Sequence, residues 1–174
     1  MTKPRPVNWQ LIDDQSINNI SQNLISKYHS GRDRLDNINI VYMWKHNVKP
    51  DQDGYLVITD ISKSSDKVKE LRPHDMIIGI NKVVWSLLND AQKNVVIDSQ
   101  LERIAPCLDK DGNPKEDDKF RPIYRLRRPE TLEDEKLVSR HGLNMQSVQS
   151  YVFDKLSGSY ERDSYIGTTM RENK

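Results

Sequence analysis

From Lys93 the chain reads Lys93-Asn94-Val95-Val96-Ile97-Asp98-Ser99-Gln100-Leu101-Glu102-Arg103-Ile104, and the architecture follows from how this stretch is placed. Val96, Ile97, Leu101 and Ile104 recur at helical spacing. Asn89 or Asp90 offers an N-cap side chain just upstream. The pattern predicts an amphipathic helix from there to about Ala105, stopped by Pro106.

Working backwards, Val83, Val84, Trp85, Leu87 and Leu88 predict a short apolar helix. Before it, Met76-Ile77-Ile78-Gly79-Ile80 reads as a mostly buried strand, placed at a sheet edge and preceded by His74-Asp75. Ser62 to Pro73 is short and polar. Tyr55 to Ile61 reads as a strand, and so does Ile38 to Lys45, where Ile38, Ile40 and Tyr42 alternate with Asn39, Val41 and Met43. Pro50-Asp51-Gln52-Asp53-Gly54 between them predicts a turn, and hence a β-hairpin. Ile17, Ile20, Leu24 and Tyr28 predict a helix over 13–29, with cap chemistry at Asp13, Asp14 and Ser16 and a stop at Gly31. Residues 1–8 read as an irregular arm.

Working forwards, Asp109-Lys110-Asp111-Gly112-Asn113-Pro114 is a loop or hairpin tip, and Ile123, Tyr124 and Leu126 suggest a short strand. Pro129 and Thr131 start a helix that Gly142 ends in the C′ position. Val148, Val152 and Leu156 predict a last helix over 145–156, ended by Gly158. Strands first and helices afterwards give an α+β class: a small antiparallel or mixed sheet of three to four strands packed against helices. One domain is expected over 1–156, with a flexible polar tail over 157–174.

The chain has 174 residues, of which 30% are charged and 35% hydrophobic, enough for one core. Lys and Arg number 27 against 26 Asp and Glu, a net charge of +1, which disfavours a strongly basic nucleic-acid binder. Cys107 is the single cysteine, so an internal disulfide and a multi-cysteine zinc site are both excluded. His29, His46, His74 and His141 are scattered, with no metal-ligand spacing between any two. His29, His46 and His74 are expected on the surface or in loops. No apolar run is long enough to span a bilayer, and no signal peptide opens the sequence. A cytoplasmic protein is expected.

The order of these segments resembles the phage metallopeptidases, small relatives of the SprT-like zinc peptidases. The resemblance covers roughly residues 9–145. It rests on the strand at His74-Asp75-Met76, the Trp85 helix, the helix through Ile97-Asp98-Ser99-Gln100-Leu101-Glu102-Arg103-Ile104, the Asp-Gly loop, the strand Tyr124-Arg125-Leu126-Arg127-Arg128, and Arg140-His141-Gly142-Leu143. In that family the central helix carries a segment of the type I-D-H-E-L-x-H-[IV]. Its two histidines bind zinc, and its glutamate acts as general base on the metal-bound water. The resemblance implies a zincin-like architecture here. It also puts Ser99 at the first ligand position, Gln100 at the base position and Arg103 at the second ligand position. Pro129 falls at the third ligand position, followed by Glu130. Ser99 and Gln100 are not useful zinc ligands in this arrangement, Arg103 cannot be deprotonated, and Gln100 cannot act as a base. No catalytic residue, metal or cofactor is therefore expected, and the reading is a pseudoenzyme.

Other patterns carry less. Asp51 to Gly54 and Asp109 to Asn113 lack the spacing of a calcium loop and read as turns. Arg121, Arg125, Arg127 and Arg128 form the densest basic cluster; it could contact phosphate or an acidic partner, or pair with Glu116, Asp117, Asp118, Glu130 and Glu133. Nothing in the spacing makes Ser99 a nucleophile for His74 or His141, and nothing lowers the thiol pKa of Cys107. Trp9, Trp44 and Trp85 read as core or sheet-packing residues.

The expected function is a phage protein that binds a host or phage macromolecule in the infected bacterium's cytoplasm, for instance as an inhibitor of a host defence system or nuclease. The alternatives are a nucleic-acid-binding accessory protein working through the arginines, and a hydrolase with a relocated site in which Gln100, Glu102 and Arg103 line the old cleft and bind a ligand.

Overall fold

The computed structural model describes residues 8–31, 35–128 and 131–169, without side-chain detail at 131–133 and 158–169. A four-stranded sheet is built from β1 (Asn8–Leu11), β2 (Ile40–His46), β3 (Thr59–Lys63) and β4 (Met76–Asn81), in the order β1-β2-β4-β3. β2 and β4 run parallel; β1 and β3 pair antiparallel to them on the two edges. A second sheet joins β5 (Ile104–Pro106) to β6 (Tyr124–Leu126). The helices are α1 (Gln15–Leu24), α2 (Asp66–Leu71), α3 (Lys82–Leu87), α4 (Asp90–Glu102), α5 (Thr131–His141) and α6 (Met145–Thr169). The class is α+β with a mixed sheet, as expected.

The hairpin between the first two expected strands does not form. The turn is real: the Asp51 carboxylate accepts from the Asp53 and Tyr55 amides, and Gly54 takes φ +86°. However, β4 inserts between the strands that flank the turn, which corrects its placement at an edge. Composition explains the exchange. β4 buries Met76, Ile78 and Ile80 completely, whereas β3 carries Asp60, Ser62 and Lys63. An apolar strand gains most in the middle of a sheet, and a polar one tolerates the edge. β1 is not anticipated by the sequence pattern: only Asn8 falls within the irregular arm expected over 1–8, and its four exposed residues give no alternation to detect.

One face of the sheet carries the helices. Tyr42 of β2 donates to Ser21 Oγ of α1 at 2.6 Å, and burial pushes the Tyr42 pKa up to about 12 although this bond pulls it down. On the other face Trp9, Lys45 and Asp60 crowd over Gly79. A Cβ there would meet Asp60 Oδ1 and the Trp9 ring at 2.7 Å and Lys45 Cδ at 2.9 Å. Gly79→Ala is therefore expected to cost about 1–3 kcal/mol by overpacking. Chemical denaturation measures it, and a variant as stable as the parent would show that these side chains move aside freely.

α4 is the hub, touching α1, β3, β5, α5 and α6. Asn89 is its cap, in a reciprocal box with Gln92 at 2.9 Å each way. The helix ends at Glu102 rather than near Ala105. Pro106 biases the residue before it towards extended backbone, and Ile104–Pro106 then pairs with β6. α5 ends as expected, with Gly142 at φ +70°. α6 passes through the expected stop at Gly158 and reaches Thr169, because glycine inside a helix costs only about 1 kcal/mol. The tail expected from 157 is thus helical as far as 169. Residues 170–174 lie outside the described residues.

Candidate functional site

From Val95 to Glu102, α4 is buried on all sides. Val95, Val96, Ile97, Asp98 and Leu101 are each fully buried, and Glu102 is 1% exposed. This corrects the ordinary amphipathic reading: Asp98, Ser99, Gln100 and Glu102 also face protein, and the two carboxylates are matched there by charge.

Asp98 and Glu102 lie one turn apart on the same face. His29 Nε2 is 2.6 Å from Asp98 Oδ1, and His141 Nε2 is 2.7 Å from Oδ2. Arg140 Nη1 is 3.2 Å from both Asp98 oxygens and 2.6 Å from Glu102 Oε1. Lys136 Nζ is 3.0 Å from Glu102 Oε2. An ionised carboxylate only accepts, so both imidazoles present Nε2–H to it. Burial pushes the Asp98 carboxyl up, but the hydrogen bonds from His29 and His141 and the charges of His29 and Arg140 hold it below the usual range. Burial works against the Arg140 charge, while Asp98 and Glu102 more than offset it and raise its pKa. The Tyr28 ring closes the cluster, with the Arg140 guanidinium 4.6 Å from its centroid and His141 edge-on at 6.0 Å.

His29 reaches this cluster because α1 continues into a π-helical turn, Ile25–His29. Wider turns of this kind often occur at functional positions. The expectation that His29 lies at the surface is corrected: it is 1% exposed. Asp98, His29 and Lys136 were not singled out from sequence. A helix with apolar residues on every side leaves Asp98 no solvent-facing position, and that was the available signal.

His29, Asp98 and Glu102 offer ligand atoms all within 4.8 Å of one another, a set that could suit a cation. The contacts argue for another use. Two ligands sharing one zinc sit about 3.3 Å apart. His29 and Asp98 are at direct hydrogen-bond distance instead, and Arg140 and Lys136 take up the oxygens of Glu102.

The positions singled out by resemblance lie elsewhere on α4. Ser99 Oγ donates to the Val96 carbonyl at 2.8 Å, and Gln100 Nε2 donates to Ser99 Oγ at 3.1 Å. Gln100 Oε1 and Arg103 Nε are buried without a hydrogen-bond partner. A hydroxyl engaged with its own helix, an amide and a guanidinium are not a zinc-binding set. Pro129 and Glu130 lie outside the described residues. Ser99 meets neither His74 nor His141 in a hydrogen bond, and His141 is committed to Asp98.

The arginine cluster is divided. Arg121 is bound through Nε and Nη2 to Asp117 at 2.7 Å each, the local pairing expected. Arg125 and Arg128 are exposed. The Arg127 amide donates to the Arg103 carbonyl at 2.7 Å, which brings the basic strand beside the end of α4.

A mixed four-stranded sheet with a buried hub helix, pinned through Asp98 to Arg140-His141, defines an α+β protein of the kind that the order of its segments suggested. The chain matches the family described as "Putative phage metallopeptidase" over residues 9–154, and it belongs to that family. No curated protein and no solved structure matches it. Among the described residues, no helix is long and apolar enough to cross a membrane.

Proposed function

We propose that this chain is a non-catalytic member of its family, built on a zincin-like scaffold, that acts in the cytoplasm of the infected cell by binding a host or phage protein. The observation that carries the reading is the state of α4. By the resemblance, Ser99, Gln100 and Arg103 fall at the two zinc-ligand positions and the general-base position of the family's helix, and on that frame Arg103 brings a fixed positive charge to the metal's position. Among the described residues, the other candidate ligand set on this helix, around Asp98 and Glu102, is held by Arg140 and Lys136. That pairing disfavours a relocated hydrolytic site. A protein partner is favoured over nucleic acid by the net charge of +1 and by the pairing of Arg121 with Asp117.

The test is metal content and proteolysis on the full chain. After zinc loading and dialysis, the protein is expected to retain substoichiometric zinc and to cleave no denatured protein substrate. Stoichiometric zinc together with chelator-sensitive cleavage would refute the proposal.

A further inference from the structure

Three buried polar atoms within residues 100–103 lack a hydrogen-bond partner: Gln100 Oε1, Glu102 Oε1 and Arg103 Nε; Glu102 Oε1 has the Arg140 guanidinium as its ion-pair partner at 2.6 Å, which leaves the other two. Gln100 is 6% exposed; its Nε2 is engaged by Ser99 while its Oε1, an acceptor, has no partner. Arg103 Nε, a donor, is buried and also without a partner. Residues three apart share a helix face, so the open acceptor and the open donor are neighbours. A buried polar atom left unpaired costs about 1–3 kcal/mol, so the pair calls for a group that supplies one donor and one acceptor together.

The charge nearby narrows that group. Among the described residues the Arg103 guanidinium forms no ion pair, in contrast to Arg121 and Arg140, which are both bound to carboxylates. The backbone joins Arg103 to Arg127, and Arg125 follows two residues before it in the same basic strand. An oxyanion is favoured at Arg103. A phosphate dianion offers acceptors only and would turn an oxygen towards Gln100 Oε1. The end of a polypeptide supplies both parts, since its carboxylate accepts from the arginine and its last amide N–H donates to the glutamine.

We infer that Gln100 and Arg103 form a carboxylate-binding site that takes the C-terminal end of a partner polypeptide. The inference rests on the non-catalytic reading above and names the partner chemistry of that same site. The cation position of the family becomes an anion position, with the guanidinium supplying the charge that the metal supplies elsewhere.

The experiment uses the isotope-labelled full chain in chelator, observed by NMR at the Arg103 Nε–H and the Gln100 side-chain amide. The probes are N-acetyl-trialanine as free acid, the same peptide as its C-terminal amide, N-acetyl-Ala-Asp-Ala-amide, and inorganic phosphate. The free acid is expected to shift both signals, with at least about tenfold weaker binding for the amide. Arg103→Lys, which keeps the charge but loses Nε–H and the planar fork, is expected to weaken the acid about tenfold, and so is Gln100→Leu. A response to the Asp peptide equal to that of the free acid overturns the chain end as the ligand and assigns the site to an acidic side chain instead. The inference is overturned if no probe shifts the signals, which would mean that Gln100 and Arg103 satisfy each other or share a water. It is also overturned if phosphate acts as well as the acid, or if the variants melt differently yet bind unchanged. Mass spectrometry of the peptide, repeated on the zinc-loaded chain, keeps the two readings apart. Cleavage would refute the non-catalytic proposal, whereas an intact peptide that does not bind refutes only this site.

Discussion

Asp98→Asn is expected to destabilise the protein by about 3–5 kcal/mol, the usual cost of removing one partner from a buried ion network. The side chain is fully buried and receives two imidazoles and a guanidinium. The amide keeps the shape but loses the charge, and its NH2 group would face a donor. Arg140 and its neighbours then stay buried with only Glu102 to balance them. Urea denaturation at neutral pH measures the loss, and a cost below about 1 kcal/mol would show that the cluster is a surface-like pair of little consequence. The pH dependence follows from the same carboxyl. Its folded pKa lies below the ordinary 3.8, so its contribution is complete above that value and disappears as pH falls through the lower folded value. The parent protein should therefore lose stability on acidification below about pH 4, and Asp98→Asn should lose less over the same interval.

Ile78→Ala is the second large effect expected, about 2–5 kcal/mol. Ile78 is fully buried at the middle of β4, flanked by Tyr42 of β2 and Ile61 of β3. At the sheet edge, where the sequence pattern put this strand, a cavity could relax towards solvent and the cost would fall near 1 kcal/mol. The midpoint shift in a denaturation curve thus reports on the topology itself.

The limits of the sequence are physical ones. Local signals were legible where the interaction is local: the Asn89 cap, the Asp51–Gly54 turn, the αL glycine after His141, and the Arg121–Asp117 pair. Each involves groups a few residues apart. The insertion of β4 between β2 and β3 was not legible, because strand order is set by competition among whole strands for burial. His29 and Asp98 are 69 residues apart, and no periodicity connects them. They meet only because a π-helical turn re-aims His29, a backbone choice that its residues do not announce. Ser99, Gln100 and Arg103 draw notice in the sequence through resemblance alone. Their unmade hydrogen bonds required the folded chain.

The division of α4 into two polar groups also bears on how such a protein can change over time. The pin through Asp98, Glu102, Arg140 and His141 holds the hub helix to α5, and none of its members occupies a ligand position of the family frame. Changes at 99, 100 and 103 leave this pin untouched. A hub helix held by one polar group can keep its architecture while residues outside that group vary, so that inheritance of a fold says little about inheritance of an activity.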